Sequence, residues 1–242
     1  GDGIQLLGEQ LTISAAISGK EVRTLPDFPA EIRAPQGSVA GVSAFQLAIA
    51  EGFIFTAGEE IDVLVAMNPA ALKKSIQYLR PNALLLINSD SFQQSKDLLK
   101  VGLNEHYINE IAEYYQVLSV PIIQNTLSAL KEAELSHSEA KKAKNFYVLG
   151  IILWLVALET EDCLAFIDKK FAAKPLLASA NARALKAGYN YALTLELTRR
   201  DSYQLGNVQR GSGDYRQITG VEAVGLALAT LATQLKKELL VA

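Results

Sequence analysis

DVLVAMNPAALKKSIQYLRPNALLLINSD, residues 62–90, predicts a strand, a helix and a second strand in direct succession. The continuous apolar run at residues 62–67 is typical of a parallel strand that is covered on both faces. Asn68 is a favoured N-cap residue and Pro69 a favoured first helical residue, so we expect a helix that runs to about residue 79. A buried strand is expected next, at residues 83–87. The stretch therefore indicates a βαβ unit.

Further strands are expected on both sides of this unit, at residues 22–25, 39–50, 53–55 and 117–120. Their alternation with helices predicts an α/β fold with a Rossmann-like, mostly parallel sheet flanked by helices. Ligands of such sheets bind beyond the carboxyl ends of the strands. The candidate binding residues expected there are Gly1, Asp2, Gly3, Asn68 and Asn88. Both asparagines could equally be simple helix-cap or turn residues.

The remaining helices are expected at both ends of the chain. A first helix should run from about residue 4 to a stop at Gly19. Residues 144–158 are apolar nearly all round, which indicates a buried helix, and further helices are expected over 161–173 and 175–198. The final stretch, residues 220–242, has the pattern of an amphipathic helix rich in Ala and Leu. The C-terminal part of the fold is therefore expected to be rich in helix.

A proline-rich stretch at residues 25–45, LPDFPAEIRAPQGSVAGVSAF, cannot be a helix interior. Its apolar residues favour an ordered loop over disorder. Glu31 and Arg33 within it either form a local ion pair, or Arg33 faces a phosphate or carboxylate, for which a guanidinium is well suited. A rigid surface loop without a ligand fits the composition equally well.

The composition argues against several classes of function. A net charge of −3 and a pI of about 5.5 give no reason to expect nucleic acid as a partner. One cysteine, Cys163, is too few for an iron–sulfur cluster held by this chain alone, and two histidines are too few for a typical zinc site. The most apolar run, residues 146–158, is shorter than the ~20 residues of a membrane span. We therefore expect no metal site, no membrane segment and a cytoplasmic location.

The start of the chain, Gly1-Asp2-Gly3, opens directly into the first helix, and free N–H groups at such a turn can bind an anion. The dinucleotide pattern G-x-G-x-x-G is incomplete, because Leu6 stands at its last position. Two alternatives stay open: a non-catalytic nucleotide- or anion-binding module, and a nicotinamide dehydrogenase, for which Asp27 lies at about the expected distance. No serine has a histidine at a recognisable motif spacing, so the catalytic residues are unknown.

The segment FPAEIRAPQGSVAGVSAFQL, residues 28–47, resembles the signature loop of the gamma-type domain of 2-oxoacid:ferredoxin oxidoreductases. The nearest form is the one with gamma and alpha fused in one chain, as in the large subunit of 2-oxoglutarate synthase. The other matching segments follow in the family's order and cover nearly the whole chain: Gly1-Asp2-Gly3, VAMNPAAL (65–72), LLLINSD (84–90), KNFYVLG (144–150), FAAKPLLASANARALKAGYNYA (171–192) and DYRQITG (214–220).

The resemblance implies a gamma-type domain over residues 1–198, a linker over 199–219, and the first helix of a truncated alpha-type thiamine-binding domain over 220–242. It also implies a strand immediately upstream of Gly1, so we expect the numbered chain to be a fragment. An enzyme of this family decarboxylates a 2-oxoacid oxidatively, transfers the acyl group to coenzyme A and passes electrons to ferredoxin.

The resemblance further implies that coenzyme A, as a substrate, lies on the side of Gly1, Asp2, Gly3, Glu31, Arg33, Asn68 and Asn88. Thiamine diphosphate, magnesium and iron–sulfur clusters are expected in the full complex and not on this chain. The expected partners are a beta subunit carrying thiamine diphosphate, ferredoxin and a small 2-oxoacid, within a hetero-oligomer. The chain by itself is expected to be inactive.

Overall fold

The computed structural model describes residues 2–27, 42–56, 58–93, 95–104, 106–195, 197 and 203–235. The chain forms two compact units, residues 1–208 and residues 209–242. The first unit contains both sheets of the described chain together with the helices that cover them. The candidate residues Gly1, Glu31 and Arg33 lie outside the described residues.

The chain begins with a helix followed by a two-stranded antiparallel ribbon. Helix α1 spans Asp2–Ile17, and the chain turns at Gly19, whose φ of +81° lies in the left-handed region that glycine adopts without strain. Strand β1 (Glu21–Asp27) pairs antiparallel with strand β2 (Ala44–Ala50). The expected stop of the first helix at Gly19 is thus confirmed.

Helix α1 is fixed to the start of β2 by two close contacts. A Cβ atom on Gly8 would lie 2.1 Å from Cγ of Phe45, so the absence of a side chain at Gly8 lets the ring lie against the helix backbone. Gln5 Nε2 donates hydrogen bonds to the Ala44 carbonyl at 2.8 Å and to Ser43 Oγ at 3.0 Å. The base of the 25–45 stretch is therefore held against the first helix.

A three-stranded parallel sheet follows, in the order β3–β4–β5. Its central strand is buried on both faces, since Leu84, Leu85, Leu86 and Ile87 are each at most 2% exposed. This confirms the buried strand predicted at residues 83–87. Strand β3 lies at an edge of this sheet and is only partly buried, so the expectation that residues 62–67 are covered on both faces is wrong. The strands and their connections are β3 (Ile61–Ala66), α2 (Pro69–Ser75), β4 (Leu79–Asn88), α3 (Ser95–Lys100), α4 (Tyr107–Ile111) and β5 (Gln116–Val120).

The rest of the first unit is helical. Helix α7 (Lys144–Leu155) is buried on nearly every side, as its uninterrupted apolar sequence predicts, and its Leu149 and Leu153 are fully buried. This helix carries much of the core between the parallel sheet and the other helices. The elements are α5 (Ile122–Ala129), α6 (His137–Lys142), α7 (Lys144–Leu155), α8 (Glu161–Lys170) and α9 (Pro175–Leu193).

Helices α7 and α9 touch backbone to backbone at two glycines. A Cβ atom on Gly188 would lie 1.8 Å from the carbonyl oxygen of Tyr147, and one on Gly150 would lie 2.1 Å from that of Leu185. The two glycines face each other's helix, so neither contact could exist with a larger residue. The crossing therefore depends on glycine at both positions.

The second unit contains helix α10 (Gly220–Leu235). Its start is a reciprocal capping box, in which Glu222 N donates to Thr219 Oγ1 at 3.2 Å and Thr219 N donates to Glu222 Oε2 at 2.7 Å. These bonds from Thr219 lower the pKa of the Glu222 carboxyl. The predicted helix over 220–242 thus begins where expected, and residues 236–242 lie outside the described residues. Every helix in the described ranges falls short of what is needed to cross a lipid bilayer, in length or in apolarity.

The fold class, α/β with a mostly parallel sheet and a helix-rich C-terminal part, is confirmed, with differences in detail. Strands β1 and β2 form a separate antiparallel ribbon and do not join the parallel series. The α2 helix is shorter than predicted, because a 3₁₀ turn at Ile76–Tyr78 leads straight into β4. Residues 53–55 are not a strand, and the side chains of Phe53 and Phe55 are exposed.

Candidate functional site

The carboxyl ends of the three parallel strands meet at one edge of the sheet. In register, Ala66 lies opposite Ile87, and Asn88 lies opposite Val120. Residues that immediately follow one strand are therefore neighbours of those that follow the next. The predicted pair Asn68 and Asn88 is placed at this edge, after adjacent strands, as the sequence indicated.

Asn68 caps the helix that follows it. Its backbone is extended, with φ −158° and ψ 166°, and its Oδ1 accepts a hydrogen bond from Ala71 N at 2.8 Å. Pro69 occupies the first helical position, where no N–H donor is needed. The cap interpretation of Asn68 is confirmed. Since the residue is exposed, its amide can still meet a ligand at the sheet edge.

Asn88 is the last residue of the central strand and is fully buried. Its Nδ2 donates to Ser91 Oγ at 2.8 Å and lies 3.5 Å from the carbonyl oxygen of Met67. Its Oδ1 is buried and has no hydrogen-bond partner among the described residues. A buried acceptor without a donor costs about 1–3 kcal/mol, so it is a strong candidate to accept a hydrogen bond from a ligand or an ordered water.

Asp90, two residues further on, has a capping role at this edge that the sequence did not reveal. Its Oδ2 accepts hydrogen bonds from Ile123 N at 2.7 Å and Gln124 N at 3.2 Å, and so caps helix α5. Asp90 itself lies in a 3₁₀ turn, Ser89–Ser91. The capped helix begins more than thirty residues later in the chain, which no local pattern could show. Because Asp90 fills the N-terminus of α5, that terminus is not available to an anion.

The start of α1 lies against the start of α7. A Cβ atom on Gly3 would lie 2.0 Å from Nδ2 of Asn145, so a larger residue at position 3 would displace the Asn145 side chain. Lys144, beside Asn145, is half-buried. Burial lowers the pKa of its ammonium group, and the nearby Lys141 lowers it further. The start of α1 and the start of α7, which both belong to the segments that carry the resemblance, are therefore neighbours in space.

The structure does not bring all the candidates together. Among the described residues, no hydrogen bond or ion pair joins Gly3 to Asn68 or to Asn88. Asp2 begins helix α1. Within the described ranges, no group of three His, Cys, Asp or Glu side chains is placed to hold a metal ion. The candidates thus form two groups, one at the sheet edge and one at the start of α1.

The antiparallel pairing of β1 with β2 argues against a nicotinamide dehydrogenase. A dinucleotide-binding βαβ unit needs its second strand, with the terminal acidic residue, to run parallel in the main sheet. Asp27 ends β1, which pairs antiparallel with β2 outside that sheet. Asp27 is therefore not at the carboxyl edge where a ribose would lie.

Residues 1–191 match the protein family described as "Pyruvate ferredoxin/flavodoxin oxidoreductase". The chain belongs to this family, which confirms the recognition based on the sequence motifs.

Individual relatives agree with this assignment. The chain is 43% identical, over 230 residues, to the 2-oxoglutarate oxidoreductase subunit KorA of Mycobacterium tuberculosis, a match that covers 94% of this chain and 35% of that protein. The chain thus spans about a third of the length of this curated relative.

Solved structures show the same fold. One is the 2-oxoglutarate:ferredoxin oxidoreductase from Magnetococcus marinus with 2-oxoglutarate, coenzyme A and succinyl-CoA bound, at 20% identity and a TM-score of 0.64, covering 99% of this chain and 41% of that one. Another is the pyruvate oxidoreductase subunit PORC of Thermotoga maritima, at 23% identity and a TM-score of 0.51, covering 78% of this chain and 90% of that one.

Proposed function

We propose that this chain is the gamma-type part of a fused gamma–alpha subunit in a 2-oxoacid:ferredoxin oxidoreductase that acts on 2-oxoglutarate. The observation that carries the proposal is 43% identity over 94% of the chain to a 2-oxoglutarate oxidoreductase subunit. The family match over residues 1–191 supports it. The whole enzyme would decarboxylate the 2-oxoacid oxidatively, form an acyl-CoA and pass electrons to ferredoxin in the cytoplasm.

The proposed domain organisation is a gamma-type domain over 1–198, a linker over 199–219, and the first helix of an alpha-type thiamine-binding domain over 220–242. Two observations support it. The family match ends at residue 191, and helix α10 starts with its own capping box at Thr219. Residues 205–208 are nevertheless part of the first compact unit, so the described part of the proposed linker does not begin as a free segment.

The proposed role of this domain is to assist the coenzyme A side of the reaction and subunit assembly. Coenzyme A supplies the thiol that accepts the acyl group. Two observations at the sheet edge support this proposal: Asn68 is exposed, and the buried Oδ1 of Asn88 has no hydrogen-bond partner among the described residues. Lys144, half-buried at the start of α7, precedes Asn145, whose side chain approaches Gly3. Gly1, Asp2, Glu31 and Arg33 are proposed to belong to the same side on the basis of the resemblance.

Thiamine diphosphate, magnesium and the iron–sulfur clusters are proposed to lie elsewhere in the complex, in part on a beta subunit. Iron–sulfur clusters need about four cysteine ligands, and this chain has one, Cys163. That thiol is fully buried, 3.3 Å from Ser14 Oγ, and burial raises its pKa, which makes it a poor ligand. The chain's partners in the proposal are therefore the beta subunit and ferredoxin, within a hetero-oligomer.

The first test compares the 242-residue chain with the complete complex. Reduction of methyl viologen is measured with 2-oxoglutarate, thiamine diphosphate, magnesium and coenzyme A. We expect turnover by the complex and none by the chain. Turnover by the chain, or a complex that oxidises pyruvate but not 2-oxoglutarate, would refute the proposal in its activity or its substrate.

The second test concerns Arg33 in the complete complex. Loss of a hydrogen bond to a charged group is worth about 1.5–3 kcal/mol, so Arg33→Ala should weaken apparent coenzyme A affinity roughly 10- to 150-fold. The coenzyme-independent first electron transfer, followed by stopped-flow, should be unchanged, and Glu31→Gln should have a smaller effect if Glu31 only orients Arg33. Arg80→Ala is the matched control, because Arg80 is an exposed arginine paired with Glu60 and Asp62 at 3.0 and 2.8 Å. If Arg33→Ala slows both half-reactions equally, Arg33 serves assembly and the ligand role is wrong.

A further inference from the structure

The turn between α1 and β1 holds a segment from the far end of the first unit. Lys20 is 9% exposed. Its ammonium group donates to the carbonyl oxygens of Leu205 and Gly206, the latter at 3.1 Å, and to Asn207 Oδ1 at 3.0 Å. An ammonium group has three N–H donors, and three consecutive residues supply an acceptor each. Since a buried charge is costly unless it is hydrogen-bonded, the acceptors of this segment stabilise the ammonium group in its buried position.

The same segment donates its own backbone N–H groups to the same region. Val208 N donates to the carbonyl oxygen of Gly19 at 2.9 Å. Gly206 N donates to Oε2 of Glu51, just after β2, at 2.9 Å. The segment is therefore held by the α1–β1 turn and by the end of β2 together.

The fit is close at two glycines. A Cβ atom on Gly206 would lie 2.8 Å from Glu51 Oε2, and one on Gly19 would lie 3.2 Å from Cγ of Asn207. Gly19 also needs its left-handed φ of +81° to close the turn. A larger residue at position 206 would require the Glu51 side chain to move from its hydrogen bond with Gly206 N.

We propose that Gly19, Lys20 and Glu51 form a docking site whose occupant is residues 205–208 of the same chain, and that Lys20 is the positioning residue that fixes where the chain leaves the first unit. The inference does not depend on the proposed activity. It assigns a structural role to a stretch whose composition resembles a free linker. The site is an intramolecular interaction surface that binds residues 205–208. It fixes the position at which the chain leaves the first unit.

Hydrogen–deuterium exchange on the full chain tests this directly, read on a peptide that covers residues 203–210. Lys20→Met keeps the length of the side chain and removes its donors. We expect exchange at the amides of Gly206 and Val208 to rise roughly 10- to 150-fold, as for the loss of a charged hydrogen-bond donor. Exchange in β4 and α7 should stay within about twofold of the parent. Lys100→Met, which removes an exposed lysine paired with Asp97 at 2.8 Å, is the matched control and should leave residues 203–210 unchanged.

A second variant tests the proposal without removing Lys20, in case Lys20→Met misfolds. Glu51→Gln removes the charged acceptor of Gly206 N while leaving Lys20 in place. It should raise exchange at Gly206 several-fold and leave Val208 N, bonded to Gly19, much less affected. Unchanged exchange over 203–210 in both variants overturns the proposal. So does a Lys20→Met effect that is the same in β4 and α7 as in the segment, because it would show a general loss of stability in place of undocking.

Discussion

The glycine pair at the crossing of α7 and α9 gives a quantitative prediction for Gly188→Ala. In the present geometry the added Cβ would lie 1.8 Å from the carbonyl oxygen of Tyr147, 2.7 Å from its carbonyl carbon and 3.1 Å from its Cα. A carbon and a carbonyl oxygen normally stay about 3.3 Å apart or more. All three atoms are backbone, so no side-chain rotation can relieve the overlap, and the helices would have to separate by roughly 1.5 Å.

The cost follows from what the separation disturbs. Leu149 and Leu153 of α7, like Ala184 and Leu185 of α9, are fully buried, so moving either helix loosens a close-packed core. Overpacking of this kind costs about 1–3 kcal/mol or more, and the better helix propensity of alanine returns at most about 1 kcal/mol. The upper end of this cost applies because the overlap is between backbone atoms, so we expect a net loss of about 2 kcal/mol or more. Such a loss lowers Tm by roughly 2–4 °C per kcal/mol for a chain of this size.

Thermal and guanidinium denaturation followed by circular dichroism would measure the loss. Gly225→Ala is the control, because Gly225 also lies within a helix but a Cβ there meets no atom within 4 Å. That variant should be neutral, or more stable by up to about 1 kcal/mol. Gly150→Ala should match Gly188→Ala, since its Cβ would lie 2.1 Å from the Leu185 carbonyl oxygen. If Gly188→Ala melts with the parent, the two backbones are not in contact in solution and the reasoning fails.

Three further predictions concern the sheet edge and the core behind it. Asp90→Ala removes the cap of α5 and should lower the free energy of unfolding by about 0.5–2 kcal/mol, whereas Asp97→Ala, at an exposed pair, should change it by less than about 1 kcal/mol; equal denaturation midpoints would argue against the cap. Asn88→Leu removes the unpartnered acceptor together with the hydrogen bond to Ser91. The chain should keep its stability within about 1 kcal/mol, while coenzyme A use by the complete complex weakens. A large loss of stability with unchanged coenzyme A kinetics would exclude a ligand role. Burial raises the pKa of Tyr147 to about 12, against about 10 in the unfolded chain. Between these two pH values the folded state keeps a proton that the unfolded state has lost. The free energy of unfolding therefore falls by about 1.4 kcal/mol per pH unit there. Tyr147→Phe should remove this part of the decline, and an identical slope in both proteins from pH 10 to 12 would contradict the buried phenol.

The sequence predicted those parts of the fold that a local pattern encodes. The apolar runs at residues 62–67 and 83–87 indicated two strands, of which the second is buried. The all-round apolar sequence of α7 indicated a buried helix, and Asn68-Pro69 indicated a helix start. Each depends on periodicity or capping within a few residues, which a single sequence displays.

What the sequence could not predict depends on partners distant along the chain. Alternation of apolar residues marks β1 and β2 as strands but does not say that they pair with each other. The cap that Asp90 provides, and the docking of residues 205–208 on Lys20, join positions far apart, where composition suggests only a turn and a linker. Glu31 and Arg33 remain predictions, because they lie outside the described residues.

The backbone contact between α7 and α9 also limits how this domain can move. Helices separated by side chains can slide past each other through small rotamer changes, as in shear motions. Gly150 and Gly188 leave no side chain between these two helices at their crossing, so relative sliding would drive backbone atoms into one another. We therefore expect the two helices to move together in any rearrangement of the first unit.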